Sequence, residues 1–168
     1  MTRSRVSEAY RAAAVGLIVM GLGAVAIDSF PFRIGRSSET PRCLPYEVML
    51  LDYRTSTPAL DDYAGFRSIG IPNYADGSLF VKRVFAGPGD TVRVYPDRVE
   101  RNGLVDLPIT VSPRIAAKLG VRQDSVVREW VLGAEEWFVV GTTAESFDSR
   151  FYGPIRTEQF VARATGLW

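Results

Sequence analysis

The chain opens with an unbroken apolar run and then changes pattern. From Ala12 to Ile27, "AAAVGLIVMGLGAVAI" carries no charge and has no polar face. Beyond it, short apolar stretches alternate with polar, glycine- and proline-rich ones. "EVMLLDYR" predicts a strand with Val48 to Leu51 at its centre, and "SLFVKRVF" a second, ended by the turn "AGPGD". "DTVRVYPDRVERNGLV" predicts a hairpin, because Val92 and Val94 alternate with polar residues and Asn102-Gly103 is a tight-turn pair. "EEWFVVGTT" and "FVARATGLW" predict two more strands. "SPRIAAKLGV" predicts one short helix, with Ser112 as N-cap and Pro113 at its first position. Residues 28–46 read as an extended connector, and 53–77, with Pro58, Gly65, Gly70, Pro72 and Gly77, as loop. Short strands and few helices indicate a mainly β domain.

The N-terminal run, with Arg3, Arg5 and Arg11 before it and Asp28 after it, predicts a single membrane-spanning helix with its N-terminus in the cytoplasm. The competing reading is a cleaved signal peptide, since Ala24-Val25-Ala26 fits a small-x-small cleavage site. Either reading exports the remainder of the chain. The expected organisation is an anchor with a short cytoplasmic end over residues 1–28 and an exported domain over 29–168, on the periplasmic side of a bacterial inner membrane.

Composition narrows the chemistry. The 168 residues suffice for one domain plus an appendage, and a net charge of +1 gives no reason to expect nucleic acid as a partner. With no histidine, every Ser-His-Asp and Cys-His arrangement is excluded, along with the commonest metal ligand. A single cysteine, Cys43, excludes an internal disulfide and a zinc cluster. Hydrolysis would rest on hydroxyl, thiol, carboxylate or amine groups, with no metal or cofactor. Positive charge is carried almost wholly by arginine, and the two lysines, Lys82 and Lys118, therefore stand out. Lys118 sits among polar neighbours and reads as a solvated surface residue. Lys82 does not: in "LFVKRVF" it shares one strand face with Phe80 and Val84. An apolar site disfavours the ammonium form, as a lysine acting as general base requires; the plainer alternative is a lysine that snorkels from an edge strand.

"KRVFAGPGDTV" resembles the lysine box of the type I signal peptidases, the membrane-bound S26 serine peptidases, which reads K-R-x-x-G-x-P-G-D. Lys82, Arg83, Pro88, Gly89 and Asp90 match, with Ala86 where the family usually has glycine. Some 60 residues on, "SFDSRFYG" resembles the family's S-x-D-S-R-x-x-G segment. The "VVGTTAE" before it has Thr142 and Thr143 where the family has a Gly-Asp-Asn turn. Two boxes in this order behind an apolar N-terminus form a specific signal. The resemblance implies that Ser146 orients the amine of Lys82, with Asp148 and Arg150 as a supporting ion pair. A hydroxyl can fix a neutral amine's direction, whereas a carboxylate placed on it would restore its charge.

Two registers compete for the nucleophile. In "SETPRCLPYEVMLL", Ser38 and Pro41 fit the S-x-x-P of the general bacterial enzymes. In "CLPYEVML", Cys43 and Pro45 fit the S-x-P-x-G-x-Y of the TraF-type conjugative-transfer peptidases, with Glu47 and Met49 replacing glycine and tyrosine. Small size and a compact connector resemble the TraF-type branch, and a thiol suits a lysine base. That branch implies processing of an exported precursor or pilin subunit in conjugative transfer. The alternatives are a LexA-like Ser-Lys self-cleaving protease, and a non-catalytic anchored β scaffold of a secretion apparatus.

Overall fold

The structure, a computed structural model, describes residues 14–17, 20, 30–38, 40–108, 112–122, 124 and 127–168. The anchor expected over 12–27 falls largely outside these; residues 14–17 and 20 are helical, and no described helix is long and apolar enough to cross a membrane. The chain forms two compact units, Met1–Pro31 and Phe32–Trp168.

The second unit is mainly β. Its larger sheet uses β1 (Phe32–Arg36), β2 (Val48–Asp52), β3 (Tyr63–Arg67), β4 (Leu79–Ala86), β9 (Glu136–Val140), β10 (Ile155–Arg156) and β11 (Phe160–Gly166), in the order β1-β2-β11-β3-β4-β9-β10. All its pairings are antiparallel. The smaller sheet has the order β7-β6-β5-β8, from β5 (Thr91–Val94), β6 (Val99–Arg101), β7 (Leu104–Leu107) and β8 (Arg128–Val131). Helix α1 (Pro113–Lys118) comes after β7, and α2 (Ser149–Tyr152) is a single turn after β9.

Strand β4 belongs to the larger sheet and contributes side chains to two cores. Its first half alternates, with Phe80 and Lys82 buried and Leu79, Val81 and Arg83 less so. The pairing with β9 then shifts between Val84 and Ala86, and from Val84 onward both faces are buried. Such an irregularity lets one strand serve two cores. Phe80 and Val84 pack with Phe66, Val139 and Phe160, whereas Phe85 and Ala86 join Val92, Val94, Val99 and Phe138 between the sheets. The hairpin expected after β4 is β5–β6–β7, and Asn102 and Gly103 turn its second corner with φ of 54° and 81°. Both values lie in the region Asn-Gly tolerates best.

Four strands depart from the sequence expectation. The connector over 28–46 contains β1, and the loop over 53–77 contains β3. β1 is an edge strand with little buried surface, so its sequence carries no alternation. β3 is "YAGFR", in which a central glycine and small alanine disguise a buried strand. Strands β8 and β10 have no counterpart in the sequence pattern; β8 is largely exposed and β10 has two residues. Helix α1 begins at Ser112 and Pro113 as expected, but the Ser112 hydroxyl makes no cap bond. It donates instead to Glu145 Oε1 at 2.5 Å.

Candidate active site

The pleat of β4 turns Lys82 inward, opposite Ala64 of β3, where 2% of it is exposed. Its Nζ donates to Ser146 Oγ at 3.2 Å, and Ser146 is itself fully buried. The snorkelling alternative does not describe this side chain. Lys118, in contrast, is exposed at the end of α1.

Ser146 is carried by the loop between β9 and α2, which a buried ion pair shapes from behind. Asp148 caps α2 and grips Arg150 through two bonds of 2.8 Å, Oδ1 to Nε and Oδ2 to Nη2. It also accepts the Gly141 N–H at 2.8 Å. Arg150 Nη2 reaches the carbonyls of Thr143 and Ser146 at 3.1 and 3.2 Å. Both side chains are fully buried, so this is no weak surface pair. Burial alone would raise the Asp148 pKa and is the largest single influence on it. The charge and hydrogen bonds of Arg150, with smaller help from Lys82 and the Gly141 amide, outweigh burial and hold it below its ordinary 3.8.

Of the two candidate nucleophiles, Cys43 is joined to this loop through its backbone. Its carbonyl accepts from the Thr142 N–H at 2.8 Å and from Thr142 Oγ1 at 3.4 Å. Gly141 marks the closest approach: a Cβ there would lie 2.1 Å from Ser146 Oγ and 2.7 Å from the Cys43 carbonyl oxygen. No larger residue fits without moving one of them. A cleft of about 270 Å³ opens here, lined among others by Ser38, Cys43, Leu44, Tyr74, Phe80 and Lys82. Cys43 is buried in its wall and Ser38 is exposed.

The structure thus brings Lys82, Ser146, Asp148, Arg150 and Cys43 together. Ser38 lines the same cleft, outside the hydrogen-bonded group. Sequence reasoning missed Gly141. The signal for it was a glycine at the end of an apolar strand, directly before the turn that leads to Ser146.

Residues 7–168 match the family described as signal peptidase, peptidase S26. Among solved structures, that of a signal peptidase I from Enterococcus faecalis is similar at 23% identity and a TM-score of 0.42, over 64% of this chain and 97% of that one. No curated protein matches the chain.

Proposed function

The chain belongs to the S26 signal peptidase family and is a peptidase; from that premise we propose that Lys82 activates Cys43 to cleave exported precursor proteins. The observation that carries the reading is the buried Lys82–Ser146 bond beside the loop bonded to Cys43. In its neutral form Lys82 has N–H groups to give Ser146 and a lone pair left for a proton.

In the first step the Cys43 Sγ–H proton passes to Lys82 Nζ, and the sulfur forms a bond to the scissile carbonyl carbon. Backbone N–H groups near the nucleophile receive the oxyanion. The C–N bond then breaks, Lys82 returns its proton to the leaving amine, and a thioester to Cys43 remains. Water, deprotonated by Lys82, attacks that thioester; the acid leaves and the thiol is restored. Asp148 and Arg150 hold the loop that aims Ser146 and do not touch the reacting atoms.

The substrate reading is an exported precursor, specifically a pilin subunit of a conjugative or type IV secretion apparatus. The enzyme is tethered to the bacterial inner membrane by residues 1–28, with residues 29–168 in the periplasm. The Cys43-Leu44-Pro45 register, which matches the TraF-type pattern, and the apolar run over 12–27 support it. A cleavage assay on such a precursor tests the reading. Cys43→Ala should be inactive and Ser38→Ala active. The reverse result moves the nucleophile to Ser38, activity kept in both rules out both residues, and a wild type that cleaves no precursor leaves a non-catalytic scaffold. Protease added to intact spheroplasts should digest residues 29–168, and their protection would contradict the topology.

A further inference from the structure

Three positions where the chain departs from the family pattern, Glu47, Thr142 and Thr143, converge on one element, the β1–β2 connection over residues 37–47. At its base Glu47 holds two arginines at once. Oε1 takes Arg36 through Nε at 2.9 Å and Nη2 at 2.6 Å, and Oε2 takes Arg42 Nη2. The Ser37 N–H closes the same end by donating to the Glu47 carbonyl at 2.8 Å. At its tip, Thr143 Oγ1 donates to the Arg42 carbonyl at 2.9 Å, next to the Thr142 bonds to Cys43. Arg42, the residue before Cys43, is therefore held by its guanidinium on one side and by its carbonyl on the other.

We propose that Glu47 and Thr143 are positioning residues that form a two-armed clasp fixing the direction of Cys43 toward Lys82, a role that rests on Cys43 being the nucleophile. A glycine at 47 could not make the ionic arm. The arm is a poor source of global stability, because the side chains of Arg36, Arg42 and Glu47 are 77%, 49% and 27% exposed. Its effect is on geometry: displacing a reacting atom by about an ångström costs on the order of a hundredfold in rate. Exposed ion pairs are also screened by salt, so the ionic arm makes turnover sensitive to ionic strength.

The test uses the full chain and two readouts: kcat and KM on an exported precursor, and the rate of Cys43 alkylation by iodoacetamide. Glu47→Gly should lower kcat by about tenfold or more with KM nearly unchanged. Wild type should slow between about 0.05 and 1 M salt, and Glu47→Gly should have lost that response. Thr143→Val should lower kcat and Thr143→Ser should restore it. Both damaging variants should change the alkylation rate, while Glu129→Gln, which breaks an exposed pair with Arg93 on the small sheet, should leave it unchanged. Wild-type kcat and salt response in Glu47→Gly would overturn the clasp. So would a kcat loss matched by an equal drop in urea midpoint, or by Thr143→Ser failing to rescue. Activity surviving in Cys43→Ala would refute the nucleophile assignment instead, and the alkylation rates would still decide whether the clasp holds the loop.

Discussion

The two walls of the cleft are built by different means. The wall that carries Lys82 is made of core: β4 and its neighbours bury Phe66, Phe80, Val84 and Val139, and behind Ser146 the Asp148–Arg150 pair is fully enclosed. The wall that carries Cys43 seats Cys43 and Leu44 in a core cluster with Met49, Leu51, Ala162 and Ala164, and the rest of its connection is closed by exposed charges and two threonines. The lysine's position is therefore fixed by the same packing that stabilises the fold, whereas the connection leading to Cys43 also depends on exposed ion pairs that can be removed with little effect on stability. This asymmetry makes the two walls separable by mutation.

The largest effect is expected at Lys82. Lys82→Ala should lower kcat by about a hundred- to ten-thousand-fold, the usual worth of a general base. Lys82→Arg should fail as fully, because guanidinium does not give up its proton. Precursor cleavage measures both, and full activity in either would exclude Lys82 as the base.

Next comes the buried pair. Asp148→Ala leaves Arg150 charged and enclosed, and should cost about 3–5 kcal/mol of stability in a urea titration. The same pair gives an acid signature. Asp148 is held below its ordinary 3.8, so its contribution to stability is complete above about pH 4. It is lost as pH falls through the lowered value. The stability gap between wild type and Asp148→Asn should accordingly narrow from pH 7 to pH 3; a gap independent of pH would mean that Asp148 has the same pKa in the folded and unfolded chains.

A smaller effect on folding but a large one on activity is expected where the walls meet. Gly141→Ala puts a methyl into Ser146 and the Cys43 carbonyl, so overpacking should cost about 1–3 kcal/mol while turnover falls further than Lys118→Ala can account for. Lys118→Ala should change stability by less than about 0.5 kcal/mol and leave turnover alone, since this lysine lies at the surface end of α1.

The same asymmetry explains what could be read from sequence. Lys82 was legible because strand alternation puts it among apolar residues, and Ser146 because it stands in a contiguous box. β1 and β3 were not legible: an exposed edge has no alternation to detect, and the Ala-Gly centre of β3 is buried by its neighbours rather than by its own side chains. That Asp148 and Arg150 are wholly enclosed depends on what packs over them, which no local pattern encodes. The choice between Ser38 and Cys43 was open because both sit in plausible motifs. The contacts that favour Cys43 in the proposal, Thr142 to its carbonyl and Thr143 to that of Arg42 before it, come from about a hundred residues away in the chain.

The proposed attack by the Cys43 sulfur, driven by Lys82, predicts a covalent intermediate that can be trapped. A precursor turnover stopped with acid and digested for mass spectrometry should show the acyl fragment on the Cys43 peptide, labile to hydroxylamine at neutral pH and missing in Lys82→Met. An acyl group on Ser38, or an adduct at Cys43 undiminished in Lys82→Met, would contradict that chemistry.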